Sequence, residues 1–235
     1  MNAKKAIAIL SVMVLAVGAM AQGGGRGGQR GFGRFGQQSP TSLLRRTDVK
    51  EDLKLTDDQK SKLADVQQKQ QEKMRDAFQN SGIQFQPGTP PSAEDQKKLQ
   101  DMMTKLNEEN TKEINAILDA DQQKRLKEIF VQFQGNAIAG NADYQKDLGI
   151  TDDQKAKIAE LQKKQGEAMQ ALFQKMRDQE IDRQGFTEAT EKNTKIMNDE
   201  IGKILTDDQK KKIADWSGKP FVKKDQPGGR GGGGL

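Results

Sequence analysis

Along most of this chain apolar residues return every three or four positions, with charged and amide side chains between them. Leu63, Val66, Met74, Ala77 and Phe78 make one such series; Ile158, Leu161, Met169, Leu172 and Phe173 make another. That spacing marks one face of a helix, whereas a half-buried strand would alternate strictly. It predicts long amphipathic helices from Asp57 to Gln79 and from Asp152 to Arg177. Ile114, Ile117, Leu118 and Leu126, and likewise Ile201, Ile204, Leu205 and Ile213, continue the pattern. They predict second helices from Ala93 to Ile117 and from Thr187 to Ile204, each followed by a short third helix from Asp121 or Asp207. The run Asn80 to Ser92 holds Gly82, Pro87, Gly88, Pro90 and Pro91 and must break the first pair. In the second half the break is expected at Gly185. The fold class that follows is all-α, with two tandem units of antiparallel amphipathic helices.

The two halves also share a motif. Leu55-Thr56-Asp57-Asp58-Gln59-Lys60 recurs as Ile150-Thr151-Asp152-Asp153-Gln154-Lys155 and as Leu205-Thr206-Asp207-Asp208-Gln209-Lys210. A looser copy is Leu118-Asp119-Ala120-Asp121-Gln122-Gln123. The first copy maps onto Ile150 at an offset of 95, and the looser one maps onto Leu205 at 87. The repeating object is therefore a pair of motifs. Upstream, Thr47 to Leu53 parallels Ala142 to Leu148 at the same offset of 95.

Thr56 with Gln59 three residues later has the form of a capping box: the hydroxyl accepts from the Gln59 N–H, and the glutamine side chain returns a bond to the Thr56 N–H. Thr151/Gln154 and Thr206/Gln209 repeat it, and Asp119/Gln122 keeps it with aspartate as the cap. The aspartates that follow sit in the first helical turn, where negative charge favours the positive end of the helix dipole. A calcium or acid–base role for them is the weaker reading. A calcium loop needs alternating ligands and a central glycine, and a catalytic carboxylate pair needs a pocket.

At the N-terminus Met1-Asn2-Ala3-Lys4-Lys5 precedes an apolar run from Ala6 to Met20, shorter than the ~20 residues that span a bilayer. Ala19-Met20-Ala21 supplies the small residues a signal peptidase requires. We expect a secretory signal peptide over 1–21, cleaved between Ala21 and Gln22, ahead of a transmembrane anchor. A Gly/Arg/Gln-rich segment (22–46) and a Gly-rich tail (218–235) are expected to be disordered. The folded units are then 47–133 and 134–217.

Composition narrows the function. Cysteine and histidine are both absent, which removes thiol chemistry, the commonest general base and the commonest transition-metal ligand. No catalytic, cofactor or metal residues are expected, and the chain is not read as an enzyme. Aromatics are only 5% of residues, so the helices must form thin layers rather than a thick core. The formal charge of +5 resides in the ends: residues 47–217 hold 28 basic and 33 acidic side chains, which argues against a nucleic-acid groove. Phe32, Phe35 and the arginines around them have the chemistry to contact nucleic acid, but export favours a solvated tether or a weak contact with anionic envelope surfaces. Met74, Met102, Met103, Met169, Met176 and Met197 lie on the helices at or beside the apolar stripe. Each reads alone as core filling; together they suit a pliable surface for varied apolar segments.

A Leu-Thr-x-x-Gln motif twice per helical unit, in an exported chain without cysteine, resembles the LTxxQ motif family, the Spy/CpxP-like periplasmic proteins. The likeness is carried by Leu55-Thr56-Gln59 with Leu118-Asp119-Gln122, and by Ile150-Thr151-Gln154 with Leu205-Thr206-Gln209. It implies a thin, cradle-shaped, all-helical periplasmic protein that binds unfolded or misfolding envelope proteins without ATP. An envelope stress adaptor binding a single sensor partner and a metal-binding envelope protein are the alternatives it carries. The chain departs from the pattern in having two units where one is typical, in Asp119 where threonine is usual, and in lacking histidine, which counts against metal-sensing relatives. Two units in one chain imply either a monomeric pseudo-dimer or a homodimer, with no membrane span in the mature form.

Overall fold

The computed structural model describes residues 39–83 and 92–223. Among these residues there is no strand; the chain is a succession of helices. They fall into two compact units, one comprising the described residues up to Phe133 together with those from Trp216 on, the other Gln134–Asp215.

The first unit opens with a 3-10 helix, Pro40–Arg45, whose Leu43 and Leu44 are buried. It leads into α1 (Thr47–Asp52), α2 (Asp57–Asn80), α3 (Ala93–Ile117) and α4 (Ala120–Gln134). α2 and α3 pack against each other as a hairpin through Leu63, Val66, Leu106 and Ile114. Most remaining positions on both helices are polar, so the hairpin buries one stripe per helix, as a two-layer arrangement requires. Lys73 ties the helices across the stripe's edge, donating to Glu113 at 2.8 Å and Glu109 at 3.4 Å. The densest burial is on α1 and α4, where Val49, Leu126, Ile129, Phe130 and Val131 are almost wholly removed from solvent.

The second unit repeats this order. A 3-10 helix, Gly135–Gly140, precedes α5 (Ala142–Leu148), α6 (Asp152–Arg177), α7 (Arg183–Ile204) and α8 (Asp207–Trp216). The 3-10 helix packs on α5, α6 and α7, and α6 packs on α7. Ile138, Ala139, Leu148, Ile158 and Ile201 are the most deeply buried positions.

Three expectations need correction. The break in the second unit is not at Gly185. α6 ends at Arg177, the chain reverses through Asp178–Asp182 with Gln179 at φ 59°, and α7 starts at Arg183 rather than Thr187. Asp182 is the N-cap and accepts from the Gly185 N–H at 2.7 Å, so the glycine is the third residue of the helix. The folded part also starts before residue 47, since Leu43 and Leu44 bring the end of the 22–46 segment into the core. At the other end, residues 218–223 pack on α4 rather than standing apart as tail. The remainder of both segments, the Ala21–Gln22 cleavage site and Pro87 to Pro91 lie outside the described residues.

Candidate functional site

The motif residues gather at the end of each hairpin opposite the connection between its two long helices. In the first unit Leu55 and Leu118, the residues just before the caps, are buried. Thr56 Oγ1 accepts from the Gln59 N–H at 3.2 Å, and Gln59 Oε1 accepts from the Thr56 N–H at 3.1 Å. Asp119 and Gln122 make the same reciprocal pair at 2.8 and 3.1 Å.

The glutamines do more than cap their own helices. Gln59 Nε2 donates to Gln122 Oε1 at 2.8 Å, and Gln122 Nε2 donates back to Gln59 Oε1 at 3.1 Å. The remaining amide protons go to backbone: Gln59 donates to the Ile117 carbonyl at 2.9 Å and Gln122 to the Leu53 carbonyl at 3.2 Å. Each carboxamide therefore makes four bonds, the full capacity of the group. Two helix starts, the end of α3 and the end of α1 are tied through one cyclic amide pair.

The second unit builds an equivalent clasp. Gln154 Nε2 donates to Gln209 Oε1 at 2.8 Å, and Gln209 Nε2 returns the bond at 3.0 Å. Their other protons reach the Ile204 and Gly149 carbonyls at 3.0 and 3.1 Å. Thr151 and Thr206 cap α6 and α8, while Ile150 and Leu205 are buried. Here Gln209 is itself buried, 7% exposed. Burial without partners would cost such an amide several times what one bond contributes, so full pairing is what makes the position tenable.

Chemically the clasp binds nothing further, because its donors and acceptors are consumed internally. The aspartates beside it face solvent: the side chains of Asp57, Asp152 and Asp207 are 99%, 98% and 101% exposed. Each pairs with the lysine three residues on. The bond from Lys60, and then its charge, hold the Asp57 carboxyl below the ordinary carboxylate range. Such exposed pairs contribute little to stability. Among the described residues no group of three or more acidic side chains is placed to hold a metal ion.

Away from the clasp, the ends of the hairpins where the two long helices connect hold less well-covered apolar residues. Met74, Phe78, Met102 and Met103 are half-buried in the first unit. In the second, Met169 and Met197 are core residues, while Met176, Ile181 and Phe186 are half-buried and line an apolar groove. Phe173 supports that groove, its ring 5.0 Å from that of Phe186.

The sequence pattern showed each glutamine as a local cap and missed its pairing with the other copy in its unit. The available signal was that the motifs come in pairs, each with an amide at the same position. No described helix is long and apolar enough to cross a membrane.

No curated protein and no solved structure matches the chain. A family model, that of the LTXXQ motif family protein, matches residues 44–130, which run from the buried Leu44 through both motifs of the first unit to Phe130. The Leu, the cap and the Gln in that motif are the buried anchor, the helix start and the clasp described above, and residues 44–130 are an LTXXQ motif family unit.

Proposed function

We propose that this protein is an ATP-independent holdase of the periplasm, which binds unfolded or misfolding envelope proteins through the ends of its helical hairpins that lie away from the clasp. The observation that carries this reading is the division of labour within each unit. One end is locked by a fully bonded glutamine clasp, while the other presents half-buried methionine and phenylalanine on a thin scaffold. Unbranched methionine side chains adapt to differently shaped partners, which suits a binder that cannot specify one client. The family is envelope-associated and chaperone-like, which supports the same assignment. Residues 134–217 are, on this reading, a second copy of the unit, so that one chain carries two binding ends. Lysines and acids on the polar faces keep the scaffold soluble while a client is held.

The test is light scattering with a reduced, aggregating client. Suppression at equimolar chain is expected, and it should weaken severalfold in a Met176→Ser/Phe186→Ser variant that keeps its helical circular dichroism. Absence of suppression by the parent chain would overturn the proposal. Capture of one stoichiometric partner without any effect on aggregation would replace it with the adaptor reading.

A further inference from the structure

The segment that follows α8 turns at Ser217 and Gly218, bends at Lys219 and is held along α4 by bonds to its main chain. Gln132 Nε2 donates to the Ser217 carbonyl and, at 2.7 Å, to the Lys219 carbonyl, while its Oε1 accepts from the Phe221 N–H at 2.8 Å. Arg125 adds a bond to the Lys219 carbonyl at 2.6 Å and a longer one to that of Pro220 at 3.4 Å. Arg125 is itself fixed by two bonds to Asp52, at 2.7 and 3.2 Å, and by Glu128 at 3.1 Å. These contacts are made to main chain and read no side chain; a backbone that makes the same turn can satisfy them. What selects is the ring of Phe133, which meets Phe221 at 5.7 Å and lies under the Lys223 ammonium at 4.3 Å. An aromatic residue followed two positions later by a cation is thus the chemistry the surface accepts.

A covalent attachment to α8 gives the segment a high local concentration, of order millimolar for a short tether, so it occupies the surface without binding tightly in its own right. Gly218 makes the turn that delivers it: its φ is +56°, and a Cβ there would collide with Glu128. Val222, next to the aromatic contact, is 77% exposed, so the segment buries little apolar area beyond Phe221.

We propose that α4 of the first unit, through Arg125, Gln132 and Phe133, is a binding site for flexible peptide segments carrying an aromatic residue and a nearby cation, and that Ser217–Lys223 is its built-in competitor. The proposal rests on the holdase reading for its ligand: unfolded clients supply free, adaptable backbone of this composition, and they bind by displacing the segment.

The experiment uses the full mature chain and a fluorescent peptide of sequence Ser-Gly-Lys-Pro-Phe-Val-Lys. Two variants release the segment: Phe221→Ala at the aromatic contact, which leaves the site itself untouched, and Gly218→Val at the turn, whose side chain also displaces Glu128 beside Arg125. Fluorescence polarisation should show each binding the peptide at least tenfold more tightly than the parent, and adding Gln132→Leu should return binding to the parent's level. Trp216, the sole tryptophan and the start of the segment, should shift its emission in the released variants. Equal peptide binding by the parent and both variants would overturn the site. Unmasked peptide binding with no gain in client suppression would overturn displacement by clients. Absence of suppression by parent and variants alike would instead count against the holdase reading, because the peptide assay judges the site independently.

Discussion

Positions in the two units that correspond at offsets of 95 and 87 reach the same geometry with different residues, and the differences separate what the geometry needs from what it tolerates. The turn between the first short helix and the first motif is the plainest case. Gly149 adopts φ 67° there, and the corresponding residue of the first unit, Lys54, adopts φ 51°. Both donate their N–H back into the preceding helix, so the left-handed position is demanded by the turn, not chosen by glycine. Arg125 forks onto the Asp52 carboxylate in the first unit, where the corresponding Lys212 reaches only the Asp147 carbonyl. A planar guanidinium can hold a carboxylate and two further partners, as a single ammonium does less well. Between the hairpin helices, Asn110 of the first unit leaves a buried Oδ1 without a hydrogen bond, and the corresponding Met197 is a 3%-exposed core residue. The clasp alone is the same in both: four bonds per glutamine, with Thr or Asp accepted at the cap.

If the clasp is the invariant part, breaking it should produce the largest loss. Gln209→Ala removes both bonds to Gln154 and strands that amide beside the Ile204 carbonyl. At about 1 kcal/mol per bond plus the penalty for stranded buried groups, the cost should be about 3 kcal/mol. Gln122→Ala in the half-buried clasp of the first unit should cost less, about 2 kcal/mol. Urea unfolding followed by far-ultraviolet circular dichroism checks both; equal, sub-kcal losses would mean that the clasp is incidental.

The turn gives the next effect, in opposite directions. A residue with a Cβ loses about 1–2 kcal/mol in the left-handed region. Gly149→Lys should therefore destabilise by about 1.5 kcal/mol and Lys54→Gly should stabilise by about 1 kcal/mol, less whatever the added chain freedom of glycine subtracts. Matching signs for the two exchanges in thermal melts would show that the turns are not equivalent.

Transplanting the second unit's core residue is a gentler change. Asn110→Met exchanges an unbonded buried acceptor for a side chain that the corresponding position already accommodates. A gain of about 1 kcal/mol is expected from removing the unsatisfied oxygen. A lower melting temperature would indicate that the space between α2 and α3 does not admit the thioether.

These contrasts also mark where sequence reasoning stopped. Helices and caps rest on residues three or four apart, so Thr56 with Gln59, or the stripe Leu63–Val66, can be read without tertiary knowledge. The Gln59–Gln122 pair joins residues 63 positions apart, and nothing local distinguishes it from two separate caps. Pro40–Arg45 and Gly135–Gly140 bury corresponding residues, Leu43 with Ile138 and Leu44 with Ala139, yet six-residue 3-10 helices are too short to show a period. Gly185 reads locally as a breaker, whereas the stop comes from Gln179 in a left-handed conformation and the start from the Asp182 cap. The segment after Trp216 looked unstructured by composition. Its Gly and Pro instead shape a path along α4, where bonds from Gln132 and Arg125 hold its main chain in place of apolar burial.

The smallest effect concerns Val49 and its counterpart Tyr144. Val49 is wholly buried and carries no charge at any pH. Tyr144 is half-buried, and desolvation of its phenolate, with the nearby Asp143 charge adding to it, pushes its pKa up to about 12. In the unfolded chain a tyrosine titrates near 10. Between those values the folded form still holds its proton when the unfolded form has lost it, so rising pH favours unfolding; below about pH 10 both forms are protonated and the group is silent. Stability should therefore fall with rising pH across that window more steeply in the parent than in Tyr144→Phe, with the two indistinguishable at neutral pH. Tyr144 is the only tyrosine, so ultraviolet titration of the phenolate band reads it directly. A midpoint near 12 in the folded chain, falling to about 10 in urea, is the expected pair of values. A folded midpoint already near 10 would mean that the second unit opens around α5 more readily than the first does around α1, and that the tyrosine is a looser substitute for Val49 rather than an equivalent core residue.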